Sequence, residues 1–126
     1  MIAAYAAWER KAPDNHLPVF LHAKALAAAS APDEAAVEAK LRRSILLNDS
    51  YWESHLELGV LLLRQGKWQE SAQELSRSIG LNPRNASAHY HLARAYQRLG
   101  KPELAQAERA EYERLKNAED AAAGVP

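Results

Sequence analysis

The chain has 126 residues, with sixteen basic side chains balanced by sixteen acidic ones and no cysteine. That balance excludes the bulk field that draws a protein to nucleic acid or an anionic membrane, and the missing thiols exclude disulfides and thiolate metal sites. No apolar run approaches the roughly 20 residues that span a bilayer, and the opening MIAAYAAWERKAP lacks the layout of a signal peptide.

Abundant alanine and the absence of period-two β-branched runs predict helix throughout. A first helix is expected over Ile2 to Lys11, stopped by Pro13-Asp14-Asn15, and a second over Leu17 to Ala29. A third follows Pro32-Asp33-Glu34, where proline suits the first turn and the acids suit the positive end of the helix; it ends near Leu47. Asp49 or Ser50 is expected to cap a fourth that runs to Gln65 and ends at Gly66. A fifth spans Lys67 to Gly80, closed by Asn82-Pro83. A sixth starts after Asn85 and ends at Gly100. The seventh has Pro102 in its first turn and runs to Asn117, leaving 118–126 as a flexible tail.

Two of these stretches repeat each other 34 residues apart. WESHLELGVLLLRQGKWQESAQELSRSIGLNPRN begins at Trp52, and ASAHYHLARAYQRLGKPELAQAERAEYERLKNAE begins at Ala86. His55 falls on His89, Leu58 on Leu92, Gly59 on Ala93, Gly66 on Gly100 and Ser71 on Ala105. A period of this length marks helical units that must stack to bury their apolar sides. The linkers alternate: Gly66 and Gly100 sit in short turns within a helix pair, Pro13 and Pro83 in turns between pairs. The small residues Gly59, Ala93, Ser71 and Ala105 are expected where facing helices cross closely.

These residues resemble the tetratricopeptide repeat. Leu58-Gly59, Leu62, Gly66, Trp68, Leu75, Ser78 and Pro83 stand at positions that this family marks, with Ser71 in place of alanine. The later unit matches at Leu92-Ala93, Tyr96, Gly100 and Ala105 and departs at Pro102, Arg109 and Tyr112, as suits a terminal repeat. The resemblance implies an all-α fold of antiparallel helix hairpins stacked into a right-handed superhelix, an α-solenoid. It divides the chain into a partial repeat (1–15), a repeat with a two-residue insertion at Ser30-Ala31-Pro32 (16–51), a regular repeat (52–85), a terminal repeat (86–117) and the tail. Residues 2 to 12 then stand as the second helix of a still earlier unit, with Ile2, Tyr5 and Trp8 lacking a partner.

The resemblance also implies a groove lined by the first helix of each unit. Carried across, its positions fall on Leu17, Phe20, Lys24, Ala27 and Ala28; on Glu53, Leu56, Val60, Leu63 and Arg64; and on Ser87, Tyr90, Arg94, Gln97 and Arg98. Phe20, Leu56 and Tyr90 would form an apolar row. Lys24, Arg64, Arg94 and Arg98 add positive charge that Glu53 and Glu57 partly offset. A non-catalytic scaffold binding an acidic and apolar peptide or protein segment is the expectation. The alternatives are a self-associating module, paired as a homo-oligomer through its N-terminal helix, and a spacer or enzyme appendage within a longer protein. Glu57 and Ser87 stand where chaperone-tail-binding members carry Asn and Lys, so that clamp is not expected.

No catalytic constellation, cofactor motif or metal set stands out, and no nucleic-acid or membrane-inserting role is expected. His55 and His89 share a repeat position and read as packing residues. His89 and His91 lie about 200° apart around a helix, the wrong geometry for one ion. Trp68 reads as the aromatic of its hairpin turn, and Trp52 as cover for the neighbouring unit. The composition suits a bacterial protein; the compartment stays open, with the cytoplasm favoured for this stretch.

Overall fold

The computed structural model describes residues 2–124, so Met1, Val125 and Pro126, the last two belonging to the expected flexible tail, lie outside the described residues. Within them the chain forms seven helices and no strand: α1 (Ile2–Lys11), α2 (His16–Ala27), α3 (Glu34–Leu47), α4 (Trp52–Arg64), α5 (Trp68–Leu81), α6 (Ala86–Arg98) and α7 (Pro102–Ala122). The most extensive packing joins α2 with α3, α4 with α5, and α6 with α7; α1 lies on α2, α3 on α4, and α5 on α6. None of these helices is long and apolar enough to cross a membrane.

Local chemistry sets the ends. The Asn15, Asp33 and Asn85 side chains accept hydrogen bonds from the backbone N–H groups of Leu17 (3.0 Å), Ala36 (3.2 Å) and Ala88 (2.9 Å), satisfying donors that the first turn leaves free. Gly66 and Gly100 adopt φ of 79° and 72°, the left-handed conformation that closes a helix without Cβ strain. Neither Asp49 nor Ser50 caps α4. Asn48 instead folds its carboxamide onto the Ser50 N–H (3.0 Å), making an Asx turn, and Tyr51 holds the cap position without a side-chain bond.

The second helices α3, α5 and α7 open at Glu34, Trp68 and Pro102 and keep the 34-residue spacing. The first helices α2, α4 and α6 open at His16, Trp52 and Ala86, so the first interval is two residues longer than the second. The extra length lies in residues 28–33, where a glycine turn is absent. At the other end α7 continues to Ala122, past the stop expected at Asn117. Alanine-rich sequence favours that extension, and a Lys116–Glu119 pair (3.5 Å) one turn apart supports it.

The core runs along the stack as two clusters, with α4 contributing to both. One cluster joins Phe20, Ala23, Val37, Leu41, Leu58, Leu61 and Leu62 from α2, α3 and α4. The next joins Leu56, Ala72, Leu75, Ala88, Leu92 and Ala95 from α4, α5 and α6. The α4–α5 crossing is close at Gly59, where a Cβ would meet the Leu75 side chain at 2.7 Å, and the Ser71 hydroxyl donates to the Gly59 carbonyl at 2.6 Å. In the last hairpin an exposed Arg109 replaces Leu75 at the equivalent place, and Ala93 is tolerated where Gly59 stood.

Each of the two regular hairpins also carries a buried polar fastening. His55 Nδ1 meets Glu74 on α5 at 2.8 Å, and its Nε2 meets the Asp49 carbonyl at 2.8 Å. His89 repeats the arrangement with Glu108 (2.7 Å) and the Pro83 carbonyl (2.9 Å). A carbonyl only accepts, so each Nε2 carries a hydrogen. Each Nδ1 faces its carboxylate across the hairpin. The Glu74 hydrogen bond raises the His55 pKa, with the Asp49 carbonyl and the Glu74 charge helping, against burial and Arg77, which lower it. A third fastening ties down α1: Glu9 pairs with His22 on α2 and with Lys40 on α3 (2.7 Å). Burial pushes the Glu9 carboxyl up, but those two partners together hold it below its ordinary range.

Candidate functional site

The face built from α2, α4 and α6 carries every residue expected to meet a partner, but in unequal roles. Phe20 and Leu56 do not present an apolar row, because they are 2% and 9% exposed. The ring edge of Tyr51 covers Phe20 (centroids 5.1 Å apart), and Leu56 belongs to the core shared with α6. Tyr90 alone of the three is open, at 43%, leaning on Tyr112 of α7 (5.4 Å). Val60 and Leu63 are half-buried and supply the remaining apolar surface.

The charges divide along the stack. In the first half they compensate one another. Lys24 meets Glu57 at 3.1 Å, bridging α2 and α4. Arg64 meets Glu34 at 3.1 Å. Glu53 accepts from the Tyr51 hydroxyl (3.2 Å), and burial followed by the Glu53 charge raises the Tyr51 pKa. On α6 the balance fails. Among the described residues neither Arg94 nor Arg98 has a carboxylate in ion-pair range; each guanidinium lies over a ring instead, Arg94 over Tyr90 (5.9 Å) and Arg98 over Trp68 (5.6 Å). Gln97 accepts weakly from Arg109 (3.5 Å). His91, beside Arg94 and Glu57, keeps a buried Nδ1 without a partner; burial first and Arg94 second push its pKa down, so it stays a neutral ring.

Two recesses follow this face. A narrow one of about 100 Å³ lies between α2 and α4, lined by Lys24, Ala27, Glu57, Val60 and Arg64. A wider one of about 350 Å³ is lined by Leu63, Arg64, Gly66, Trp68, Arg94 and Arg98. Arg64 belongs to both, so the face is continuous from α2 to α6. The Trp68 ring, expected to pack in its hairpin turn, is half-exposed and lies under Arg98. Among the described residues no group of three or more His, Asp or Glu side chains could hold a metal ion.

Residues 61–100 match the family model described as TPR repeat. Over those residues the chain is similar to the tetratricopeptide repeat. Its match runs from the end of α4 through α5 and α6, which includes both Gly turns. No curated protein sequence matches the chain. Solved structures of MamA share the fold at low identity. "Crystal structure of MamA" aligns with TM-score 0.84 and 16% identity over 95% of this chain and 69% of that one. "MamA RS-1 ArsTM double mutant" aligns with TM-score 0.82 and 18% identity over 90% and 63%. "Crystal structure of MamA protein" aligns with TM-score 0.80 and 17% identity over 95% and 64%. This chain thus spans about two thirds of the length of these structures, and at such identities the likeness shows the fold alone, a stack of antiparallel helix hairpins.

Proposed function

We propose that this array is a non-catalytic scaffold whose α2–α4–α6 face binds a segment of another protein carrying acidic and apolar residues. The observation that supports the reading is the charge division: the first half of the face is internally neutralised, while α6 presents two guanidinium groups without carboxylates beside Val60, Leu63 and Tyr90. Aromatic and arginine side chains together are the usual anchors of such contacts. Binding of a peptide library to the wild type and to the Arg94→Glu, Arg98→Glu double variant tests it, with helicity checked by circular dichroism. Acidic-apolar peptides should bind the wild type and lose at least tenfold in affinity with the variant. Equal binding by both proteins would remove this face as the site.

Pairing of two copies through α1 is a second reading, supported by one feature. Ile2 and Trp8 are 42% and 37% exposed, and α1 has no buried residue. Light scattering across concentration decides it, since a strict monomer at high concentration ends that reading.

A further inference from the structure

Each hairpin turns its second helix away from the α2–α4–α6 face, and the two intervals between those second helices differ. Neither α3 with α5 nor α5 with α7 is among the helix pairs that pack extensively, so a trough separates each two. Between α3 and α5 the trough is bridged by charge. Arg42 on α3 holds Glu38 at 3.0 Å and reaches Glu70 on α5 at 3.5 Å. Thirty-four residues on, the same three places carry Ala72 for Glu38, Ser76 for Arg42 and Leu104 for Glu70. The bridge has no counterpart there, and an open trough of about 500 Å³ lies between α5 and α7. Leu104 lines it 48% exposed, and half-buried Tyr96 of α6 reaches it from between the two walls. Two cations also line it, Arg77 on α5 and Lys101 just ahead of α7. Among the described residues neither has a carboxylate in ion-pair range. What sets this trough apart is that three charges and their bridge are lost together while an exposed leucine and two unanswered cations remain.

We infer that the α5–α7 trough is a second docking site, separate from the α2–α4–α6 face, and that it takes an amphipathic helix of another protein. Two helical walls with a third helix between them offer the ridged seat into which a further helix packs. Such grooves receive the apolar stripe of an incoming helix, here on Leu104 and Tyr96. Carboxylates flanking that stripe answer Arg77 and Lys101, the two charges that the trough leaves unmatched. The site does not depend on Arg94 or Arg98, so it stands or falls apart from the function proposed above.

The chain itself supplies the variant that closes the trough. Ser76→Arg with Leu104→Glu grafts the Arg42–Glu70 bridge onto the second interval. Both positions are exposed, and an exposed ion pair contributes little to stability, so the thermal melt should stay near that of the wild type. The probes are fluorescein-labelled fifteen-residue helices, each fixed by a lactam bridge opposite a stripe of leucines at i, i+3 and i+7. The stripe is flanked by glutamates in one peptide and by glutamines in the other. By fluorescence anisotropy the glutamate helix should bind the wild type, lose tenfold or more with the closing variant, and be unchanged by Arg94→Glu, Arg98→Glu. The glutamine helix should bind the wild type severalfold more weakly. Arg77→Gln with Lys101→Gln, two exposed changes, should bring the glutamate helix down to that level and leave the glutamine helix where it was. Equal binding of the glutamate helix by the wild type and the closing variant overturns the site. If that helix is lost instead with Arg94→Glu, Arg98→Glu, it sits on the α2–α4–α6 face, and the trough falls while the proposed function gains. Failure of both helices to bind the wild type also overturns the trough, and equal affinity for the two overturns the acidic partner.

Discussion

A methyl group at position 59 would land 2.7 Å from the Leu75 side chain and 3.3 Å from its backbone nitrogen. Leu75 is fully buried and cannot swing away, so the two helices would have to part. Gly59→Leu should therefore cost about 1–3 kcal/mol or more by overpacking. A thermal melt reads this directly, and an unchanged midpoint would contradict the close crossing of α4 and α5. The pair Ala93 and Arg109 acts as an internal control: removing the leucine opposite makes room for alanine, so Ala93→Gly should bring no packing gain. His55 supplies a second prediction at this scale. Its pKa is raised on folding by Glu74, so the proton binds the folded state more tightly than the unfolded one. That contribution is fully present below the unfolded value, about 6.5, and is lost as pH rises through the higher folded value. The stability gap between wild type and His55→Gln, followed by denaturant titration, should therefore narrow from pH 6 towards pH 9. A gap that widens over that range would mean that His55 is held neutral.

Among the elements, the hairpins were legible because a packing constraint leaves a trace at a fixed interval. Gly66 and Gly100 mark turns that need positive φ, and Leu58, Leu62 and Leu92 mark the buried stripe. The fastenings were not legible, because Glu74 and Glu108 lie 19 residues from their histidines on helices whose other surfaces are polar. Nothing in the spacing separates a glutamate aimed at a buried ring from one in water. The misplaced cap of α4 has a similar cause: Asn48, Asp49 and Ser50 are all capable acceptors, and the chain used Asn48 to make the turn itself. The supposed apolar row failed for a geometric reason. In this stack the position shared by Phe20 and Leu56 faces the neighbouring unit, so Tyr51 and the α6 core cover it. Of the candidate site, the exposed charge on α6 is what the proposal keeps, and the ring beneath Arg98 is one whose spacing points to packing in its turn.

For the molecule as a whole, stability should grade along the stack, because each hairpin gains from its neighbours and only the middle one has a full hairpin on both sides. The α4–α5 hairpin joins both core clusters, whereas α1 buries no residue and α7 buries only Ala105 and Leu115. Native-state hydrogen exchange should show the α4 and α5 amides opening only with global unfolding. Those of α1, and of α7 beyond Leu115, should exchange through local opening at lower free energy. Besides its packing on α2, α1 is held by the Glu9 pairs with His22 and Lys40, and Glu9→Gln should speed exchange of its amides while leaving α5 untouched. Uniform protection from α1 to α7 would instead make the chain one cooperative unit and remove the nearest-neighbour account. The grading bears on the proposed groove, because Trp68 stands on the hairpin expected to be most protected and Arg94 and Arg98 on the helix packed against it. A recognition site placed there keeps its donors oriented while the ends of the stack open.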